Sequence, residues 1–157
     1  WSKEEMEAAV ERGPHVSALS EECAAQLSAE TAEKVAAGQA RIILWDAIKN
    51  DPPPQLKVSP IAMVPHKSRK WRAILDLSFR LRLKEGGAVP SVNENTSRTA
   101  PSGSIDQLGQ CLHRVIHAFA EAGPDEKVFA AKFDIKDGFW RLDCEEGEEW
   151  NFAFVLP

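Results

Sequence analysis

Two short apolar segments around a basic loop constrain the fold of this chain more than any other sequence feature. Ser59–Pro65 and Trp71–Leu77 each have the length of a strand, and the polar residues His66–Lys70 separate them. This spacing predicts a β-hairpin with a cationic tip. Because side chains alternate between the two faces of a strand, Trp71 and every second residue after it share one face, and Arg72 lies on the other.

The cations of this predicted hairpin suit the binding of a phosphate group. The guanidinium of Arg72 can hold a phosphate through its planar fork, and Lys67 or Lys70 can add a compact positive charge. A solvated hairpin tip that binds no ligand is the alternative interpretation of the same residues.

A second feature is the run Lys132–Trp140. Val128–Phe133 is short and apolar and follows a Gly-Pro break, which predicts a buried strand. Asp134 then lies at the end of that strand, where a carboxylate can meet a cation at the rim of a sheet. Gly138 lets backbone come close to a ligand because it has no Cβ, and Phe139 adds a rigid wall. Asp and Gly also favour turns for local backbone reasons, so an ordinary turn is the alternative.

Three segments of the chain resemble retroelement reverse transcriptases. Ser59–Leu77, with its apolar strand, basic loop, Trp-Arg and hydrophobic-Asp pattern, resembles the fingers hairpin of these enzymes. Phe133–Trp140 resembles their first catalytic motif, in which Asp-x-x-Asp-small-aromatic-aromatic follows a strand. Trp150–Pro157 resembles the strand that leads into their next motif. The matches follow the order of the family and together span residues 55–157.

The resemblance implies an RNA-directed DNA polymerase, which adds deoxynucleotides to a primer 3′ end by two-metal nucleotidyl transfer. The partners would be an RNA or DNA template with its primer, and deoxynucleoside triphosphates. Asp134 would be catalytic and metal-binding, as the first of the aspartates that hold two Mg²⁺ (or Mn²⁺) ions. Nucleotide-binding roles would fall to Lys67, Lys70, Arg72, Asp137, Gly138 and Phe139.

The implied roles differ between these residues. Arg72 would contact the triphosphate from the fingers side, with a loop lysine beside it. Asp137 and Gly138 would lie beneath the triphosphate and offer it backbone N–H groups. Phe139 would stand against the sugar and disfavour a 2′-hydroxyl, so that the enzyme prefers deoxynucleotides.

The family draws its remaining catalytic carboxylates from an Asp-Asp motif further along the chain. No Asp-Asp dipeptide occurs in these 157 residues, which begin at Trp1 and stop at Pro157. One aspartate cannot hold two metal ions. We therefore expect a piece of a longer protein that has no polymerase activity by itself.

Breaks in the sequence pattern predict an α+β fold that begins with helices, and the resemblance implies that the rest is a partial polymerase fingers and palm. Residues 1–49 form a helical N-terminal segment, and residues 50–54 form a Pro-rich linker that ends helix continuation. Residues 55–100 contain the fingers-like hairpin and a connector. Residues 101–157 form the first part of a palm, an incomplete and truncated βαβ unit.

Two helix assignments within these segments depend on particular residues. Ser28–Glu33 offer the chemistry of a helix start. Ser104 and Gln107 form a capping-box pair ahead of an apolar face that repeats from Leu108 to Phe119. This second helix would deliver the chain into the strand before Asp134.

The net charge of −5 is unevenly distributed along the chain. Residues 1–51 have a net charge of −5 and residues 85–157 a net charge of −7. Residues 55–84 hold eight Lys or Arg and one Asp, a net charge of +7. Phosphate groups are attracted to local cationic regions, so this middle block is the expected footprint for nucleic acid. A solvated surface is the alternative.

Composition also limits where the chain can reside. No apolar run approaches the roughly 18 residues that span a bilayer, so we expect no membrane partner. The three cysteines (Cys23, Cys111 and Cys144) are scattered and odd in number, which argues against a disulfide framework. An intracellular location, in cytoplasm or nucleus, is the expectation.

Other classes of function also fit the sequence. The chain could be a remnant of a retroelement that binds nucleic acid without catalysis. It could be a helical interaction protein with an appended sheet, in which the motifs are coincidental. An RNA-directed RNA polymerase is a third alternative, against which Phe139 argues because its ring would obstruct a ribose 2′-hydroxyl.

In the complete enzyme, replacing Phe139 by Ala should raise the use of ribonucleotides relative to deoxynucleotides. The physical reason is the loss of a bulky ring beside the 2′ position. Primer-extension rates with the two nucleotide types measure this ratio. An unchanged ratio would remove the assigned role from Phe139.

Overall fold

The computed structural model describes residues 1–67, 70–83, 86–96, 109–131, 133–135 and 138–157. Its helices are α1 (Lys3–Arg12), α2 (Glu21–Ala36), α3 (Trp45–Ile48), α4 (Val92–Asn95) and α5 (Cys111–Glu121). Its strands are β1 (Ile61–Pro65) and β2 (Trp71–Leu75). Short 3₁₀ helices cover Val16–Ala18, Gly138–Arg141 and Glu148–Phe152. The described chain therefore mixes helices with an antiparallel hairpin and belongs to the α+β class.

The chain divides into two compact units. The first comprises Trp1–Thr96 and Phe139–Pro157, and the second comprises Ser97–Gly138. The four-part organisation expected from composition stays a prediction, and so does its polymerase fingers and palm.

Capping chemistry explains where the first two helices begin and end. Before α1, the hydroxyl of Ser2 accepts the Glu5 N–H at 3.2 Å, and the Glu5 carboxylate accepts the Ser2 N–H at 2.6 Å. Gly13 ends the helix with a φ of 69°, which glycine adopts without a Cβ clash. The hydroxyl of Ser20 caps α2. The predicted helix start at Ser28 is therefore wrong, because an equivalent cap lies earlier and Ser28 falls inside the helix.

The predicted β-hairpin is confirmed. β1 pairs with β2 in antiparallel register, with Ile61 opposite Leu75 and Val64 opposite Arg72. The expected alternation is present as well, since Trp71 is half-buried and Arg72 is exposed. This alternation points one face of the hairpin at the protein interior and leaves the other to solvent.

Two hydrophobic cores hold the first unit together. The first core packs α1 against the segments around the hairpin, and its buried members are Met6, Ala9, Leu56, Val58, Leu81 and Val89. The second core packs α2 against the inner face of the hairpin, and its buried members are Ala18, Cys23, Leu27, Ile61 and Met63. The hairpin thus gains its stability from α2, because two strands alone bury too little surface to be stable in water.

The end of the chain contributes to both cores. Ala153 and Val155 pack against the first core, and Phe154 and Leu156 pack against the second. This alternation is that of an extended segment, whose successive side chains point in opposite directions. A parallel bridge between Val58 and Ala153 joins the segment to the chain that leads into β1.

No strand forms as predicted in Trp150–Pro157, all of which the structure describes, although Ala153 is extended and forms an isolated bridge. A 3₁₀ helix covers Glu148–Phe152, and the extended course begins at Ala153. The helix forms after Gly147, whose φ of 89° turns the chain. It is also supported by Asn151, a buried side chain whose amide donates to the Glu148 carbonyl at 3.1 Å.

The strand predicted for Val128–Phe133 is absent from the described residues of that range, 128–131 and 133. The rings of Phe129 and Phe133 are 87% and 91% exposed instead of buried. A strand needs a hydrogen-bonded neighbour for its backbone, and no strand lies in the described part of the second unit. The prediction of a buried strand here is therefore wrong for the described residues.

The helix predicted from the repeat Leu108–Phe119 is confirmed as α5. The predicted capping pair Ser104 and Gln107 lies outside the described residues. The apolar side chains Leu112, Val115, Ile116 and Phe119 share one face, as expected, but all four are exposed in this structure.

Replacing Met63 by Ala should lower the free energy of unfolding by about 2–5 kcal/mol. The side chain is 1% exposed and lies at the centre of the second core, so truncation leaves a cavity. Urea denaturation followed by circular dichroism measures the change. Ile74→Ala on the outer face of the hairpin, 43% exposed, is the matched control and should cost about 0.5 kcal/mol. Equal losses for the two variants would contradict this packing.

Candidate functional site

Hydrogen bonds to neighbouring elements fix the position of the hairpin, which carries the predicted phosphate-binding residues. The Met63 N–H donates to the Ser17 hydroxyl at 3.0 Å, and the His15 N–H donates to the Ile61 carbonyl at 2.9 Å. These bonds tie β1 to the 3₁₀ turn before α2. The amide of Gln26 on α2 donates to the Trp71 carbonyl at 2.9 Å and ties β2 to the same helix.

Lys67 and Arg72 are two cations that the described part of the hairpin presents to solvent. Both side chains are exposed, and neither has a hydrogen-bond or ion-pair partner among the described residues. Arg72 lies on the outer face opposite Val64, as the alternation predicted. A phosphate approaching this face would therefore meet a guanidinium that is not already engaged.

Lys70 differs from these two cations because it is paired. Its ammonium forms an ion pair with the carboxylate of Glu22, in the first turn of α2. The hydrogen bond from Lys70 is the largest cause of a pKa of Glu22 that lies below the usual range for a glutamate. The predicted role of Lys70 in nucleotide binding would thus require this pair to open.

Two further cations of the middle block are also engaged. The Lys57 ammonium donates to the side-chain oxygen of Asn151. The Arg80 guanidinium donates through two nitrogens to the Glu94 carboxylate, with one N···O distance of 2.8 Å. The net charge of +7 in residues 55–84 is therefore partly neutralised by acids from other segments.

Arg82 faces a different environment. It lines an open depression of about 870 Å³ beside α1, together with Glu4, Glu7 and Glu11. These carboxylates disfavour the approach of an anion such as phosphate by like-charge repulsion. The available charge for a phosphate is consequently concentrated on Lys67 and Arg72, whereas Arg69 and Lys84 lie outside the described residues.

The predicted catalytic motif is divided between the two units, since Gly138 is the last residue of the second and Phe139 belongs to the first. Asp134 is exposed and belongs to no helix or strand. Gly138 begins a 3₁₀ helix, and a Cβ built on it would meet Ile135 at 3.9 Å, an ordinary contact. The absence of a side chain there is not required by crowding within the protein. Asp137 lies outside the described residues.

Phe139 and Trp140 belong to the first unit. Phe139 is 91% exposed. It is therefore accessible to a ligand, but it is not packed into the rigid wall that the sequence predicted. The Trp140 ring lies 5.3 Å from the Lys34 ammonium, a distance typical of a cation–π contact. The resemblance assigned a role to Phe139 alone, and the structure gives its neighbour the more defined position.

A divalent metal would need more ligands than the described residues bring together. Carboxylate oxygen is the donor that Mg²⁺ prefers, and Asp134 supplies it. Across residues 1–67, 70–83, 86–96, 109–131, 133–135 and 138–157, no group of three or more His, Cys, Asp or Glu is close enough to hold a metal ion. The described residues therefore do not by themselves fit the two-ion site that the resemblance implies.

Sequence reasoning missed Glu22, which contacts the hairpin tip. Its position in the first turn of a helix is common for acidic residues, so it carried no distinguishing signal. Lys70 is 48 positions away along the chain. Only the packing of α2 against β2 brings the two side chains together.

Comparisons with known proteins add no relative. No protein-family model matches the sequence, and neither a curated protein nor a solved structure matches it. As to membranes, none of the helices in the described residues is both long enough and apolar enough to span a bilayer.

The pair between Arg80 and Glu94 should be visible in a pH titration. The bonds from Arg80, followed by the Ser91 N–H, lower the pKa of Glu94 to about 2 from 4.5. Because the folded value is the lower one, the pair contributes stability above pH 4.5 and loses it as the pH falls towards 2. Carboxyl ¹³C NMR should show the pKa of Glu94 returning towards 4.5 in Arg80→Gln.

Arg82→Gln is the control for this titration. It removes an equal charge from the same segment but leaves the pair intact. A midpoint for Glu94 that stays near its low value in Arg80→Gln would show that Arg80 does not cause the shift.

Proposed function

We propose that this chain is part of an RNA-directed DNA polymerase of a retroelement, and that its hairpin binds the phosphate groups of nucleotides or nucleic acid. The observation that carries the proposal is the hairpin itself. Its strands pair in the register that exposes Arg72, and its loop brings Lys67 and Lys70 to one end. The order of the three family-like segments adds support.

Charge and shape give the hairpin its proposed chemistry. Arg72 would bind two phosphate oxygens through its planar fork, and Lys67 would neutralise a further charge. Neither residue must first leave a partner among the described residues, so binding would cost little reorganisation. Nucleotidyl transfer depends mainly on such positioning and charge neutralisation.

The remaining proposed roles belong to the complete enzyme. Asp134 would be one of the carboxylates that bind two Mg²⁺ or Mn²⁺ ions, which supply charge neutralisation at the reacting phosphate when bound. Asp137 and Gly138 would lie beneath the triphosphate, and Phe139 would contact the sugar. The template, the primer and the deoxynucleoside triphosphates are the proposed partners.

A non-catalytic nucleic-acid-binding remnant is the second candidate. Its support is the exposure of Asp134 and of its neighbour Phe133, since a metal-binding carboxylate is ordinarily held by a packed element. The hairpin would then bind phosphate without any reaction. Primer extension by the longer parent protein separates the candidates, because a remnant would extend no primer.

Arg72→Gln should weaken the binding of a single-stranded DNA oligonucleotide by roughly 10- to 150-fold, since hydrogen bonds to charged groups contribute about 1.5–3 kcal/mol. It should also reduce the slope of log affinity against log salt by about 0.7, the release expected for one phosphate contact on a single strand. Fluorescence anisotropy over a salt series measures both quantities.

Arg114→Gln is the matched control for Arg72→Gln. Arg114 is an exposed arginine on α5, outside the hairpin, and its replacement changes the net charge equally. Equal losses for the two variants would show that net charge, and not the hairpin, determines binding. An oligonucleotide that does not bind the wild-type chain at all would refute the proposed phosphate site.

A further inference from the structure

The ion pair between Lys70 and Glu22 joins the hairpin tip to α2 at an exchangeable contact. The side chains are 69% and 47% exposed, respectively. Ion pairs this exposed contribute little to stability and are screened by salt. An incoming anion can therefore compete with Glu22 for the ammonium of Lys70.

Trp71 follows Lys70 and packs against the second core, which includes Cys23 of α2 beside Glu22, and its indole N–H is buried without a hydrogen-bond partner among the described residues. A buried donor without a partner is unfavourable, and such groups are rare in folded proteins. Trp71 is held in place by its carbonyl, which accepts from Gln26 at 2.9 Å. Gln26 lies four residues after Glu22, on the same side of α2.

Two donors, the Lys70 ammonium and the Trp71 indole N–H, act on the carboxylate of Glu22. Its pKa is lowered first by the hydrogen bond from Lys70, and a smaller part of the lowering comes from the indole N–H of Trp71. The indole geometry nevertheless falls short of a hydrogen bond. In the structure, the Glu22 carboxylate is thus paired with Lys70, and the indole N–H of Trp71 is a second donor that it does not bind.

We propose that Glu22 exchanges between two positions, bound to Lys70 in the free protein and to the indole N–H of Trp71 when a phosphate occupies Lys70. The identity of the competing anion as phosphate rests on the proposed function. The exchange itself rests on the contacts between α2 and the hairpin. Glu22 is then an internal competitor that regulates anion binding at the tip.

After the exchange, the Glu22 carboxylate still has a hydrogen-bond donor as its partner. Once released by Lys70, the carboxylate gains the indole donor, and the burial of that N–H is then compensated. Glu22 also stays in the first turn of α2, where the helix dipole favours a negative charge. Both end states are therefore accessible.

The first test needs no ligand. In Lys70→Gln the carboxylate has lost its ammonium, and the Trp71 indole proton should move downfield in ¹H–¹⁵N spectra as its hydrogen bond forms. Trp71→Phe assigns the signal among the five tryptophans. The double variant Lys70→Gln with Glu22→Gln should lose most of the shift. An indole signal that stays in place in Lys70→Gln would overturn the exchange.

The second test adds sodium tripolyphosphate to the wild-type chain, with sodium chloride of equal ionic strength as the control. The same downfield movement with tripolyphosphate alone supports phosphate as the competing anion. A shift in Lys70→Gln without any response to tripolyphosphate would uphold the exchange and overturn phosphate binding at Lys70, which is the failure of the proposed function at that residue.

Affinity provides an independent measurement. Glu22→Gln should bind tripolyphosphate about two- to fivefold more tightly than the wild type, the range expected when one exposed ion pair no longer competes. Glu21→Gln, which removes the same charge one residue away, should change the affinity less. Equal gains for the two variants would overturn the specific competition by Glu22.

Discussion

The packing of α2 against the inner face of the hairpin is the contact on which the rest of the structure depends. Two strands alone are marginal in water, because they bury little apolar surface and leave both edges unpaired. Leu27 from α2 and Met63 from β1 meet in the second core, and both are almost completely buried. The bond from Gln26 to the Trp71 carbonyl then holds the second strand to the same helix. Without this packing, Arg72 would have no defined side of the protein to occupy.

This arrangement also decides how much positive charge the hairpin offers. Residues 55–84 are strongly basic in sequence, but Lys57, Lys70 and Arg80 are each engaged by side chains from other segments. The positive charge left unpaired among the described residues is accordingly smaller than a count of Lys and Arg suggests. Among the described residues of the hairpin, Lys67 at its end and Arg72 on its outer face have no such partner. Lys70 is available to an anion only when its ion pair with Glu22 opens.

Local patterns predicted local structure well. The hairpin was predicted because alternation and a five-residue loop constrain neighbouring strands directly, and the structure adds the register, in which Val64 pairs with Arg72. The amphipathic repeat likewise predicted α5. The helix start at Ser28 was wrong for a local reason, the earlier cap at Ser20, but the strand at Val128–Phe133 failed because its outcome depended on a distant partner. Val128–Phe133 has the composition of a buried strand, but an apolar sequence forms a strand only beside another strand, and the described part of the second unit contains none.

The sequence by itself determined the α+β class, the hairpin, the placement of Arg72 on the face opposite Trp71, and the three segments that resemble a reverse transcriptase. All of these depend on residues close together in the chain. Only the tertiary structure decided that Glu22 meets Lys70 and that residues 153–156 alternate between the two cores. It also decided that Phe129 and Phe133 are exposed. The physical reason is that ion pairs and burial depend on which surfaces come together in space, and those surfaces are supplied by segments far apart in sequence.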